Sequence, residues 1–224
     1  MSLKTQNLPL ITLYLLFNLT VFIVFYLTST FEFKTFINIF ENLSKKDGIV
    51  FILLPIIIFI ILGIVPQNLK EIIVFWKIEN RLPGCYAFSK YAKNDNRINL
   101  NLLKNKYGKL PRKPSKQNTL WYGIYRNIKD NGISKTHKDF LLAREWTTVT
   151  VLFILLSVPS LYFFTNINVD DLFYYFLFLL IEYLLIRFVT KNHAERLVTN
   201  VLAYESSRLH QEEHSKKGKN NEHN

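Results

Sequence analysis

Apolar positions in this chain fall into four long blocks separated by polar, periodic stretches. Residues 5–31, 48–69 and 146–169 carry no charged side chain, and 172–190 carries only Glu182 and Arg187. A bilayer's hydrocarbon core is about 30 Å thick and takes roughly 20 apolar helical residues to cross. Each block meets that length, so the pattern predicts spans over about 9–28, 49–65, 147–164 and 172–190. Pro9 suits a first helical turn, and Pro55 and Gly63 predict a kink in the second span.

Between the blocks the period changes. In 31–43, Phe33, Phe36, Ile37, Phe40 and Leu43 share one helical face, which predicts a short helix lying in the outer interface. Past Pro66 the pattern runs on through Ile72, Ile73, Phe75 and Trp76. It predicts a helix that stops near Arg81-Leu82-Pro83-Gly84. Asn96 is expected to cap a helix bearing Ile98, Leu102, Leu103 and Tyr107, with Gly108 at its end. Leu110–Pro114 reads as an extended strut, and Ser115 as the cap of a helix with Leu120, Trp121, Ile124, Tyr125 and Ile128 on one side. Asn131-Gly132 reads as a turn, and a last helix is expected from about Thr136 into the third span. The fourth span continues as TKNHAERLVTNVLAYE; from about Ser206 the chain turns polar, and its end reads as disordered.

The reading is an all-α integral membrane protein with four transmembrane helices in two hairpins and a small helical insert between spans 2 and 3. Its parts are 1–65 (first hairpin), 66–144 (insert), 145–190 (second hairpin) and 191–224 (helical extension and tail). Tyr162-Phe163-Phe164 and Phe173-Tyr174-Tyr175-Phe176 flank the second hairpin's turn as an aromatic belt.

Charge orients this layout. The chain has 224 residues with 28 Lys+Arg against 17 Asp+Glu, and 66–144 alone holds 17 basic and five acidic residues. The connection 28–48 is balanced, and 165–171 has no basic residue. Basic loops resist translocation, so the insert and, with four spans, both termini face the cytoplasm. The first apolar run is too long for a usual signal peptide and has no A-x-A-like site, so it reads as an uncleaved anchor. One cysteine excludes a disulfide scaffold, and seven glycines exclude collagen-like architecture. Heavy use of Lys, Asn, Ile and Phe suggests an AT-rich genome, and the compact layout suits a bacterial inner membrane.

Glu182 is the first candidate for chemistry. Counted at 1.5 Å per residue it lies roughly 12 Å deep in span 4, and Asn18 and Ser157 reach similar depth, so the three are expected in one polar layer. Ionisable groups inside spans face a bundle interior or a wet cavity. Two readings stay open: an ion or proton site, or a hydrogen-bonded glutamate that holds helices together. Arg187 lies about 140° round the helix from Glu182 and is expected to snorkel to the headgroups.

The insert interleaves aromatics with Lys and Arg. Nucleotide or nucleic-acid binding fits that mixture, but positive-inside bias and anionic headgroups explain it better, with a protein partner next. Arg81, Trp121, Tyr122, His137 and Arg144 are its candidate ligand- or partner-binding residues. Cys85 and His137 are a weak thiol–imidazole pair, and His210–His214 (HQEEH) matches a zinc-peptidase pattern with no room for a further ligand. No Walker loop, G-x-G-x-x-G, G-x-S-x-G or CxxC pair is present. Neither cofactor nor metal is expected, and the chain reads as a non-enzyme.

Three segments stand out as set pieces: Arg81–Ser89 (RLPGCYAFS), Gln117–Tyr122 (QNTLWY) and His137–Arg144 (HKDFLLAR). With the four-span layout they resemble small bacterial membrane proteins that are candidate effectors or membrane subunits of anti-phage defence loci. The resemblance implies a homo-oligomer in the inner membrane that answers a cytoplasmic signal; it carries over no functional residue. The competing readings are a scaffold that anchors a soluble cytoplasmic protein, and a membrane enzyme on a lipid substrate using Arg81, His137 and Arg144.

Overall fold

The structure, a computed structural model, describes residues 6–28, 56 and 60–221. Among these the chain is helical and forms no strand. Its elements are α1 (Leu8–Thr28), α2 (Gln67–Phe75), a 3-10 turn (Pro83–Tyr86), a π-helical stretch (Ala87–Tyr91), α3 (Ala92–Asn94), α4 (Leu100–Tyr107), α5 (Pro114–Arg126), α6 (Asn131–Phe164) and α7 (Val169–Asn221). They divide into two compact units, Met1–Val74 with Leu141–Thr190, and Phe75–Phe140 with Lys191–Asn224.

Three stretches are long and apolar enough to cross a membrane: Leu8–Tyr26, Asn131–Phe164 and Val169–Ser215. The expected outer helix 31–43 lies outside the described residues, as does most of the expected span 49–65. The first unit is inverted relative to a soluble core. Leu13 (65% exposed), Phe163 (73%) and Leu185 (63%) face outward, while Asn18, Thr147, Thr150 and Thr190 are fully buried. Such an apolar exterior suits contact with lipid, and the inward polar groups suit helix association where water is absent.

Inside this unit α1 packs on α6 and α7 through Val21, Phe25, Leu161, Tyr175 and Leu179. A second cluster joins Ile11, Leu15, Leu62 and Val149. Thr147 meets Thr190, and Ser157 meets Tyr175; as one index rises the other falls, so α6 and α7 run antiparallel. Pro159 interrupts α6 without ending it. Its missing N–H frees a carbonyl one turn back, and nearby hydroxyls bond the same turn: Ser160 donates to the Leu156 carbonyl at 2.6 Å and Ser157 to that of Phe153 at 2.6 Å.

The expected helix running from Pro66 to about residue 81 is shorter than its pattern. It restarts at Gln67 and ends at Phe75, because Trp76 takes a left-handed φ of 53°. Pro83 then opens a 3-10 turn, as proline can at a first helical position.

The second unit is organised by Gln117, which is 1% exposed. Its Oε1 accepts from the Phe88 and Ser89 amides at 3.0 Å each, and its Nε2 donates to Ser89 Oγ and the Arg112 carbonyl. One side chain thus supplies donors and acceptors that neither segment could provide for itself. The cap of α4 is Asn99, not Asn96: its Oδ1 accepts from the amides of Asn101 and Leu102. Gly108 ends that helix at φ 74°, as expected. Helix α5 begins at Pro114, with Lys113 and not Ser115 at the cap position. Asn131-Gly132 is not a turn. Asp130 Oδ1 accepts from the Ile133 amide at 2.8 Å, and that cap starts α6 five residues before Thr136.

The tail past Ser206 is likewise helical, to Asn221. Ahead of it on α7, Leu197, Val198, Val201 and Leu202 are buried, and three bonds tie this part of the helix to the insert. Tyr91 donates to Glu195, Tyr107 donates to Glu205, and the Asn99 amide donates to Ser206 Oγ.

Candidate functional site

Polar side chains buried within the first unit form a seam on the facing sides of α1, α6 and α7. At its centre Asn18 Nδ2 donates to Glu182 Oε1 at 3.2 Å. The same amide reaches the Tyr14 carbonyl at 3.3 Å, and the Tyr14 hydroxyl lies 2.5 Å from Thr150 Oγ1. Thr150 donates its own proton to the Trp146 carbonyl, so Tyr14 is the donor to Thr150.

Seven residues before Glu182 on α7, which is about two turns and nearly the same face, Tyr175 contacts Ser157 at 2.7 Å. Ser157 spends its proton on the Phe153 carbonyl, so Tyr175 donates. The expected association of Asn18 with Glu182 is therefore present as a direct bond, while Ser157 belongs to a separate couple with Tyr175. Eight residues after Glu182, Thr190 sits 2.9 Å from Thr147, and each also bonds the carbonyl four residues back. Those three contacts share two hydroxyl protons, so only two can be made at once.

Two oxygens at the centre lack partners. Glu182 Oε2 and Asn18 Oδ1 are both buried with no hydrogen bond among the described residues. Both are acceptors, so the couple is short of a donor: a proton, a water or a small cation would satisfy it. No salt bridge to Glu182 occurs among the described residues.

A second buried ionic group lies in the same unit. Lys70 Nζ contacts Glu145 Oε2 at 2.5 Å, and Arg144 Nη2 contacts Glu145 Oε1 at 2.9 Å. The side chains of Lys70 and Glu145 are 3% and 2% exposed, and that of Arg144 is 6%. Sequence reasoning assigned Arg144 to the insert and passed over Lys70 and Glu145. The signal was available in Glu145, an acid directly after Arg144 at the edge of an apolar block.

The remaining candidates occupy the second unit. Trp121 is 8% exposed and stacks on Tyr125 with ring centroids 5.9 Å apart. It is a core residue rather than a presented surface. Tyr122 is 51% exposed. The Tyr125 hydroxyl lies 2.6 Å from His137 Nδ1, joining Trp121, Tyr122 and His137 through one shared ring. Arg81 donates to the Ile78 carbonyl. Cys85 is buried. His210 and His214 meet edge to face, and no group of three or more potential metal ligands occurs among the described residues.

Compared with protein-family models, curated proteins and solved structures, the chain matches none of them.

Proposed function

We propose that this protein is an oligomeric membrane effector or sensor subunit in which the seam at Glu182 passes protons or small cations under the control of a cytoplasmic signal. The observation that carries the reading is the pair of buried, unpartnered oxygens, Glu182 Oε2 and Asn18 Oδ1. An ionisable group held inside a span is costly, and such groups mark ion or proton paths by default. Hydroxyls of Tyr14, Thr150, Ser157, Tyr175, Thr147 and Thr190 extend the polar lining along the same helices. The basic second unit is the receiving part, placed in the cytoplasm by the excess of Lys and Arg. A fourth span over 49–65 puts both termini on that side. A bacterial inner membrane and a role in defence are the setting that the resemblance to defence-locus subunits implies.

The test is flux through the full chain in liposomes carrying a pH-sensitive dye, together with depolarisation of cells that overproduce it. Glu182→Gln keeps the shape and the bond from Asn18 but cannot exchange a proton at Oε2. Flux is expected to fall at least tenfold with insertion and oligomer size unchanged. Undiminished flux in the variant rejects the reading.

A scaffold without conduction is the second reading. It is favoured by the way the seam's hydroxyls bond one another, as helix-associating groups do. On that reading Glu182→Gln alters helix association and leaves no flux to lose.

A further inference from the structure

The second unit contains a cleft that the intramembrane seam does not involve. It is an open depression of about 710 Å³ between Lys90–Arg97 and the stretch of α7 from Asn192 to Thr199. That volume falls within the range of small-molecule sites, roughly 300–1,000 Å³.

The charges lining it are unevenly committed. Asp95 is held by Arg97, with the guanidinium Nη2 at 2.7 Å from Oδ2 and Nε at 3.0 Å from Oδ1. That pairing keeps the Asp95 carboxyl below its ordinary range. Glu195 accepts from the Tyr91 hydroxyl at 3.0 Å. Burial and the neighbouring Glu195 push the Tyr91 phenol up, so it stays protonated and keeps donating. Both carboxylates therefore have a fixed donor.

Two of the cations do not have a fixed acceptor. Lys90 rests over the Tyr91 ring at 5.0 Å, and neither Lys90 nor Arg196 is engaged by a carboxylate among the described residues. Arg97 also lines the cleft, but its guanidinium is held by Asp95 and Asn200. Three carboxamides, Asn94, Asn96 and Asn192, complete the wall. Each offers a donor and an acceptor on one planar group, as the edge of a heterocyclic base requires.

We propose that this cleft binds a phosphorylated small molecule of mononucleotide size. Its phosphates would lie against Lys90 and Arg196, and its polar ring edge against the asparagine carboxamides. Ionic contacts of guanidinium and ammonium groups to phosphate are the strong class of hydrogen bond. The carboxamides are the groups that would distinguish a polar ring from a bare anion. The inference rests on the proposed sensor role only for its consequence, because binding can be read without any flux.

The experiment uses the full chain in nanodiscs of neutral phosphatidylcholine, titrated by calorimetry with ATP, GTP, AMP and inorganic pyrophosphate. A parallel arm omits nucleotide and compares discs with and without phosphatidylglycerol. Saturable one-site binding of at least one nucleotide is expected, weakened tenfold or more in the double variant K90E/R196E. Both positions are exposed, and circular dichroism verifies that the variant keeps its helicity. N94A/N192A is expected to weaken nucleotide while sparing pyrophosphate.

Absence of saturable nucleotide binding overturns the proposal. So does binding indifferent to K90E/R196E, or equal loss of nucleotide and pyrophosphate in N94A/N192A. A response confined to phosphatidylglycerol discs overturns it in favour of a lipid headgroup. Loss of flux in Glu182→Gln beside absent nucleotide binding would remove this inference alone; the converse would remove the conduction reading alone.

Discussion

The Tyr107 hydroxyl donates to Glu205 Oε1 at 2.6 Å, joining positions 98 residues apart. Tyr107 ends α4, and Glu205 lies deep in α7 at 2% exposure. Removing the hydroxyl with Tyr107→Phe leaves Glu205 bonded to Arg208 but loses one donor. A loss of about 1 kcal/mol is expected. It should appear as faster amide hydrogen exchange over residues 197–209, with no change over 141–164.

The same carboxyl predicts an acid dependence. Burial alone would raise Glu205, but hydrogen bonds from Arg208 and Tyr107, with the charges of Arg208 and Lys106, hold it below its ordinary value of 4.5. A folded-state value below the unfolded one means the stabilisation is complete above the ordinary value and drains away as pH falls through the depressed one. Thermal melts of the detergent-solubilised chain between pH 7 and pH 3 should therefore show a loss on acidification that is smaller in Glu205→Gln. Asp95 is depressed in the same direction by Arg97, so the difference between wild type and variant isolates Glu205.

Lys70 and Glu145 form a buried ion pair whose value lies in its completeness. Breaking such a pair from one side typically costs about 3–5 kcal/mol, because a charge remains without its partner. Lys70→Met leaves Glu145 with Arg144, so a loss near the lower end is expected, measured as yield and melting temperature in detergent. Glu145→Gln removes the acceptor that Lys70 and Arg144 share and leaves two buried cations without it, so it should cost more than Lys70→Met; a smaller cost would contradict the assignment.

Three described helices have the length and composition of spans. An odd number of crossings puts the termini on opposite faces, and a further crossing within 49–65 puts them on the same face. Alkaline phosphatase and fluorescent-protein fusions at residues 3 and 220 should both report the cytoplasm. A periplasmic signal from either end would reduce the count to three.

Legibility in the sequence followed the strength of the local signal. The apolar blocks at 9–28, 147–164 and 172–190 were readable because about twenty residues of helix, charged only at Glu182 and Arg187, leave a chain few alternatives. Asn18 and Glu182 were readable for the same reason: a polar atom among hydrocarbon must meet something. Boundaries were another matter. Asn99 and Asn96 offer the same cap chemistry three residues apart, and burial of Ile98 and Leu102 decided between them. Asp130 turned Asn131-Gly132 from a turn into a helix start. The stretch from Ser206 is polar in sequence, yet Ser206 and Leu209 are buried, and Glu205 and Ser206 are bonded from α4 and its cap. That partnership is tertiary, and no window of local sequence contains both halves. Gln117 is a similar case, since its acceptor gains meaning only beside the amides of Phe88 and Ser89.

Gly84 has no room for a side chain. A Cβ there would stand 2.3 Å from Asn118 Oδ1 and 2.9 Å from Trp121 Cε3, atoms of the helix that closes over the Pro83–Tyr86 turn. Even alanine would force the side chains of Asn118 and Trp121 to shift. A diverged descendant of this chain can therefore change nearly every exposed residue of the unit and still be recognised by a glycine that faces an asparagine and a tryptophan three residues apart. Ancestry, where overall identity has decayed, would be traceable through that steric fingerprint.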